Sequence, residues 1–75
     1  MKRFTSATVN ARLLALGASC VSLCRGDGYW YFAFEDGKTF ETLSVLVHRL
    51  NDLPLQAWVT DGIDFNTRVI DNTND

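Results

Sequence analysis

Gly26-Asp27-Gly28-Tyr29-Trp30-Tyr31-Phe32-Ala33-Phe34-Glu35 is the stretch on which the fold depends. It joins a glycine-rich break to a run holding five of the chain's nine aromatic residues. Aromatic side chains suit a pleated, half-buried surface, so the run predicts the central strand of a sheet. Successive strand residues face opposite ways. Trp30, Phe32 and Phe34 then form a core face, while Tyr29, Tyr31, Ala33 and Glu35 form a face that meets water or a partner.

Working outward, Ser19 to Arg25 alternates, with Val21 and Leu23 on one side and Cys20, Ser22 and Cys24 on the other. A one-residue slip would exchange the faces. A three-residue loop at 26–28 places Ser22 beside Phe32. A two-residue loop at Asp27-Gly28 instead pairs Arg25 with Trp30, Leu23 with Phe32 and Val21 with Phe34. The shorter loop keeps apolar residues together, and Asp-Gly suits the type I′ turn of tight hairpins. The same test applied at Asp36-Gly37 sets Glu41 against Phe32. Residues 36–43 therefore read as an irregular connection, with a third strand over Ser44–Leu50, where Val45 and Val47 favour strand over the helical spacing of the leucines.

Helices are expected at both ends. Over residues 5–17, Thr5 or Thr8 can cap, Val9, Leu13 and Leu16 share a face, and Gly17 can stop the helix. Near the other end, Asn51-Asp52 offers a cap, Pro54 suits a first turn, Leu55, Trp58 and Val59 make a stripe, and Gly62 reads as a stop. Alternation over Ile63–Val69 allows a short extra C-terminal strand, which would cover a sheet edge or pair with a second copy. The expected fold is thus a single α+β domain over residues 1–75. It is a three-stranded antiparallel sheet with two helices on one face, in the order α-β-β-β-α, with 1–4 and 71–75 frayed. Double-stranded RNA-binding domains have the same order of elements, which alone says little about function.

Charge is unevenly spread behind a net −2. Lys2, Arg3, Arg12 and Arg25 occupy the first third without an acid, whereas Asp52, Asp61, Asp64, Asp71 and Asp75 face Arg68 alone in the last third. Met1-Lys2-Arg3 before an apolar Leu13–Cys20 stretch superficially suggests a lipoprotein signal. Asn10 and Arg12 interrupt the stretch, and Gly17 stands where the cleavage motif needs a leucine-like residue. No segment is long enough to span a membrane, and a cytoplasmic location is expected.

Arg25-Gly-Asp-Gly-Tyr-Trp-Tyr-Phe32 and Ser44-Val-Leu-Val-His-Arg-Leu-Asn-Asp-Leu-Pro-Leu-Gln-Ala-Trp58 resemble segments of small proteins from bacterial and phage genomes. The likeness spans residues 8–60 and implies a compact helix-strand-strand-strand-helix domain without implying an activity. Size and mild acidity also resemble those of anti-CRISPR inhibitors, a group defined by function and lacking a shared motif.

Catalytic chemistry has little to build on. His48 is the single histidine, and Cys20 and Cys24 on a strand lack an orienting third group. One histidine and two cysteines fall short of a zinc set. Four residues of strand, about 13 Å, is too far for a disulfide between them. Asp61-Gly62-Ile63-Asp64-Phe65-Asn66 lacks the alternate acids and terminal glutamate of a calcium loop. No cofactor or metal is expected, and no enzyme. Nucleic-acid binding through Lys2, Arg3, Arg12, Arg25, Tyr29 and Tyr31 is the alternative. A pI near 5.1 and a second helix without bases at Leu53–Asp61 disfavour it. The leading expectation is a protein-binding module, monomeric or homodimeric. Tyr29, Tyr31 and His48 would form its contact patch, with Asp61 and Asp64 as acidic groups for a basic groove.

Overall fold

The computed structural model describes residues 3–47 and 49–73. Helix α1 (Ser6–Ala15) leads into strands β1 (Val21–Arg25), β2 (Trp30–Glu35) and β3 (Phe40–Val45). A 3₁₀ turn (Leu50–Asp52) and helix α2 (Leu55–Thr73) follow. The sheet is antiparallel in the order β1-β2-β3. The fold is therefore α+β with α-β-β-β-α order, as expected.

The aromatic strand sets the layers. Trp30, Phe32 and Phe34 are buried on one face and pack with Val21 and Leu23 of β1, Val9 and Leu13 of α1, and Trp58, Phe65 and Val69 of α2. Both helices thus cover the same side of the sheet. Phe32 and Trp58 meet edge to face with ring centroids 6.1 Å apart, a favoured arrangement for paired aromatics. The β1–β2 register pairs Val21 with Phe34, Leu23 with Phe32 and Arg25 with Trp30, the two-residue-loop pairing. The turn type differs from expectation. Asp27 keeps a negative φ and only Gly28 is positive (φ 80), which excludes type I′ and fits the type II pattern.

Helix ends follow local chemistry. Thr5 accepts the Thr8 amide at the start of α1. At its end Gly17 is left-handed (φ 92); its amide bonds the Leu14 carbonyl while that of Ala18 bonds Leu13. This is the double bond of a Schellman motif.

Four expectations are corrected. β3 occupies Phe40–Val45 rather than Ser44–Leu50. The second hairpin turns at Gly37-Lys38, where Gly37 has φ 92 and the Asp36 carboxylate accepts the amides of Lys38 and Thr39. That register slides Glu41 from Phe32 to Phe34, at the sheet's end, where it is exposed. Leu43 then faces Phe32, and Val45 faces Trp30. Helix α2 does not stop at Gly62; it continues through the residues read as an extra strand, burying Phe65 and Val69. Gly62 is a contact point, since a Cβ there would lie 2.7 Å from Leu13 Cδ2 and 3.1 Å from Phe32 Cε1. The Asn51-Asp52 cap is also displaced. Pro54 supplies the first carbonyl of α2, while Asp52 accepts the Arg49 amide at 3.1 Å. Finally, β1 begins at Val21 rather than Ser19, and Cys20 precedes it and packs against the core.

Among the described residues, no helix is long and apolar enough to cross a membrane.

Candidate interaction surface

The two tyrosines do come together. Tyr29 and Tyr31 lie on the helix-free face of the sheet, ring centroids 6.1 Å apart. Tyr29 lies across Gly26, where a Cβ would be only 2.5 Å from its ring. Tyr31 sits between Cys24 of β1 and Ser44 of β3 in the register. Its hydroxyl pKa is raised above 10.0, first by the charge Cys24 would carry as a thiolate, then by desolvation and a hydrogen bond with Cys24, and last by Tyr29. The phenol is therefore a neutral donor and acceptor at physiological pH. Cys20 and Cys24 are both free thiols.

The acids are elsewhere. Asp61 and Asp64 are exposed on α2, which packs against the opposite sheet face. Asp64 pairs with Arg68 one helical turn on, at 3.5 Å. His48 lies outside the described residues. The tyrosines and the acids thus form two separate surfaces.

The sheet edges differ, and hydrogen-bond alternation shows how. In an antiparallel ladder, residues take turns pointing their amide and carbonyl at the neighbour and away from it. The Gly26 amide bonds the Tyr29 carbonyl and the Glu35 amide bonds Cys20, so in β1 Val21, Leu23 and Arg25 point away from β2. This edge is largely closed. The Val21 amide bonds the Ala18 carbonyl, and Asn10 of α1 accepts the Leu23 amide at 2.6 Å and donates to its carbonyl at 3.4 Å. Asn10 thereby takes the place of a fourth strand.

β3 has no such cover. The Asp36 amide bonds the Thr39 carbonyl, which by the same alternation points the backbone groups of Phe40, Thr42 and Ser44 outward. Among the described residues these groups have no protein partner. Beneath them, Leu43 and Val45 pack on the core while staying half-exposed, because α1 and α2 lie mainly over β1 and β2. Phe40 is 65% exposed, and Leu46 just beyond the strand is 87% exposed. An uncovered edge with half-buried apolar residues on one face and an exposed ring on the other can accept another strand.

Sequence reasoning missed this edge because residues 36–43 read as irregular. The signal was the alternation Glu41, Leu43, Val45, visible once the turn is moved by one residue. Comparison with known proteins yields no family model, no curated protein and no solved structure that matches the chain.

Proposed function

We propose that this chain is a non-enzymatic protein-binding module that takes an extended segment of a partner protein along the outer edge of β3. The carrying observation is the asymmetry of the edges: α1 occupies that of β1 through Asn10, whereas the outward groups of Phe40, Thr42 and Ser44 have no partner among the described residues. A fourth strand would gain main-chain hydrogen bonds from those residues, and its alternate side chains would cover Leu43 and Val45. The same strand would run beside Phe40 on the Tyr29–Tyr31 side of the sheet, where aromatic rings add contact area.

In its narrower form, drawn from the likeness to phage inhibitors, the partner belongs to a host nucleic-acid-handling complex. Asp61 and Asp64, exposed on α2, then supply negative charge toward a basic groove.

Thr42→Pro tests the edge. Proline removes the outward amide and is tolerated on an edge strand, where that amide faces solvent. Partner capture from the native host should succeed with the unaltered protein and fail with the folded Thr42→Pro variant. A partner retained equally by both would place binding elsewhere. Asp61→Asn with Asp64→Asn then tests the narrower form, which expects slower association that depends on salt.

A further inference from the structure

Three arginines far apart in the chain line one cavity. Arg3 precedes α1, Arg25 ends β1 and Arg49 precedes the 3₁₀ turn; with Trp30, Leu50 and Asn51 they line an open pocket of about 400 Å³. Among the described residues, no carboxylate lines it. The ion pair among the described residues, Arg68–Asp64, lies on α2. Asp52, the acid nearest in sequence to Arg49, is bonded to the backbone amide of that residue.

The walls of the cavity are held in place. The Arg25 guanidinium carbon sits 5.8 Å from the centre of the Trp30 ring, a cation–π distance. The Asn51 side chain contacts the backbone of Phe4 through both its oxygen and its nitrogen, fixing the segment that carries Arg3. Trp58 donates its indole N–H to the Leu50 carbonyl at 2.7 Å, tying the 3₁₀ turn to α2. Trp30 is 9% exposed, and its own indole N–H is buried with no hydrogen-bond partner among the described residues. A buried donor without an acceptor is costly, while the three arginines are exposed and offer their charge to an incoming anion.

We infer that this cavity binds the phosphate group of a small phosphorylated ligand. Guanidinium groups present planar donor forks that match phosphate oxygens, and arginines converging from separate segments can engage a tetrahedral anion from several sides. The volume suits one phosphoryl group and part of what carries it. A chain with net charge −2 offers an extended polyanion little long-range attraction. This site does not depend on the β3 edge and would operate with or without a strand there.

The test uses the whole protein, 15N-labelled, titrated with pyrophosphate at low ionic strength. Its two tryptophans supply two indole N–H signals, and the Lys38 amide, in the turn at the other end of β2 from Trp30, serves as an internal reference. The expected result is a saturable shift of the Trp30 indole and of the Arg25 and Arg49 amides. Arg25→Gln and Arg49→Gln should each weaken binding roughly tenfold, the loss of one charge-assisted bond. Arg25→Lys should weaken it as well, since charge without the fork is insufficient. Arg12→Gln, which removes a charge outside the cavity, should leave binding unchanged, and preserved indole dispersion certifies folding in each variant. Shifts reproduced by sodium chloride at matched ionic strength, or equal weakening by Arg12→Gln, would overturn the site in favour of bulk charge. An oligonucleotide without terminal phosphate that displaces pyrophosphate at lower concentration would overturn the small-ligand assignment.

Discussion

Phe32 and Tyr31 are neighbours with opposite duties. Phe32 is fully buried and packs its ring on Trp58 and Phe65, whereas Tyr31 is half-exposed on the helix-free face. Phe32→Ala should cost about 3–5 kcal/mol in urea melts, enough to unfold a domain of this size, and Tyr31→Ala should cost much less. Gly62 offers a sharper contest between local and tertiary physics. Alanine gains about 1 kcal/mol over glycine inside a helix, but overpacking costs about 1–3 kcal/mol. With Leu13 and Phe32 against the missing Cβ, Gly62→Ala should lower the melting temperature. Its role was illegible in sequence because a helix stop and a close contact both select glycine, and only the packing partner tells them apart. Asp36 adds a pH dependence. The amides of Thr39, then Lys38, hold its carboxyl below the ordinary 3.8. A depressed folded pKa stabilises above the unfolded value and loses that effect as pH falls through the folded one. Acidification from about pH 5 to about pH 2 should therefore destabilise the unaltered protein more than Asp36→Asn, read as the shift in urea midpoint.

The elements differ in how far sequence could define them. The first hairpin was legible to the residue, because only one loop length places Val21 and Leu23 against Phe34 and Phe32. The second was not. A charged residue opposite a core aromatic looked prohibitive until the turn moved to Gly37-Lys38 and carried Glu41 to the exposed sheet end. The C-terminal segment misled for a related reason: Ile63, Phe65 and Val69 fit alternation, yet Phe65 and Val69 also lie four residues apart, the spacing that α2 buries. The tyrosine pair was visible as strand parity, while the arginine cavity was not, since Arg49 joins Arg3 and Arg25 only through tertiary folding. Asn10 gives the element-scale prediction. Asn10→Ala leaves the outward groups of Leu23 without their side-chain partner, at a cost of about 1–3 kcal/mol. It also opens the β1 edge, so the variant should self-associate more readily than the unaltered chain in sedimentation runs.

At the scale of the whole molecule, two helices share one side of a three-stranded sheet and close it unevenly. Helix α2 is required for the core: a chain ending at Gly62 lacks Phe65 and Val69, and its circular dichroism melt should lose cooperativity. Helix α1 secures β1, and β3 is left as the surface on which an incoming strand can extend both sheet and core. The most direct check of that claim is residue-resolved hydrogen exchange on the free protein at several concentrations. The Leu23 amide should be protected, while the amides of Phe40, Thr42 and Ser44 should exchange freely beside protected Glu41, Leu43 and Val45. Protection of Phe40, Thr42 and Ser44 equal to that of their neighbours, in dilute protein without a partner, would mean the β3 edge is already closed and would contradict the account.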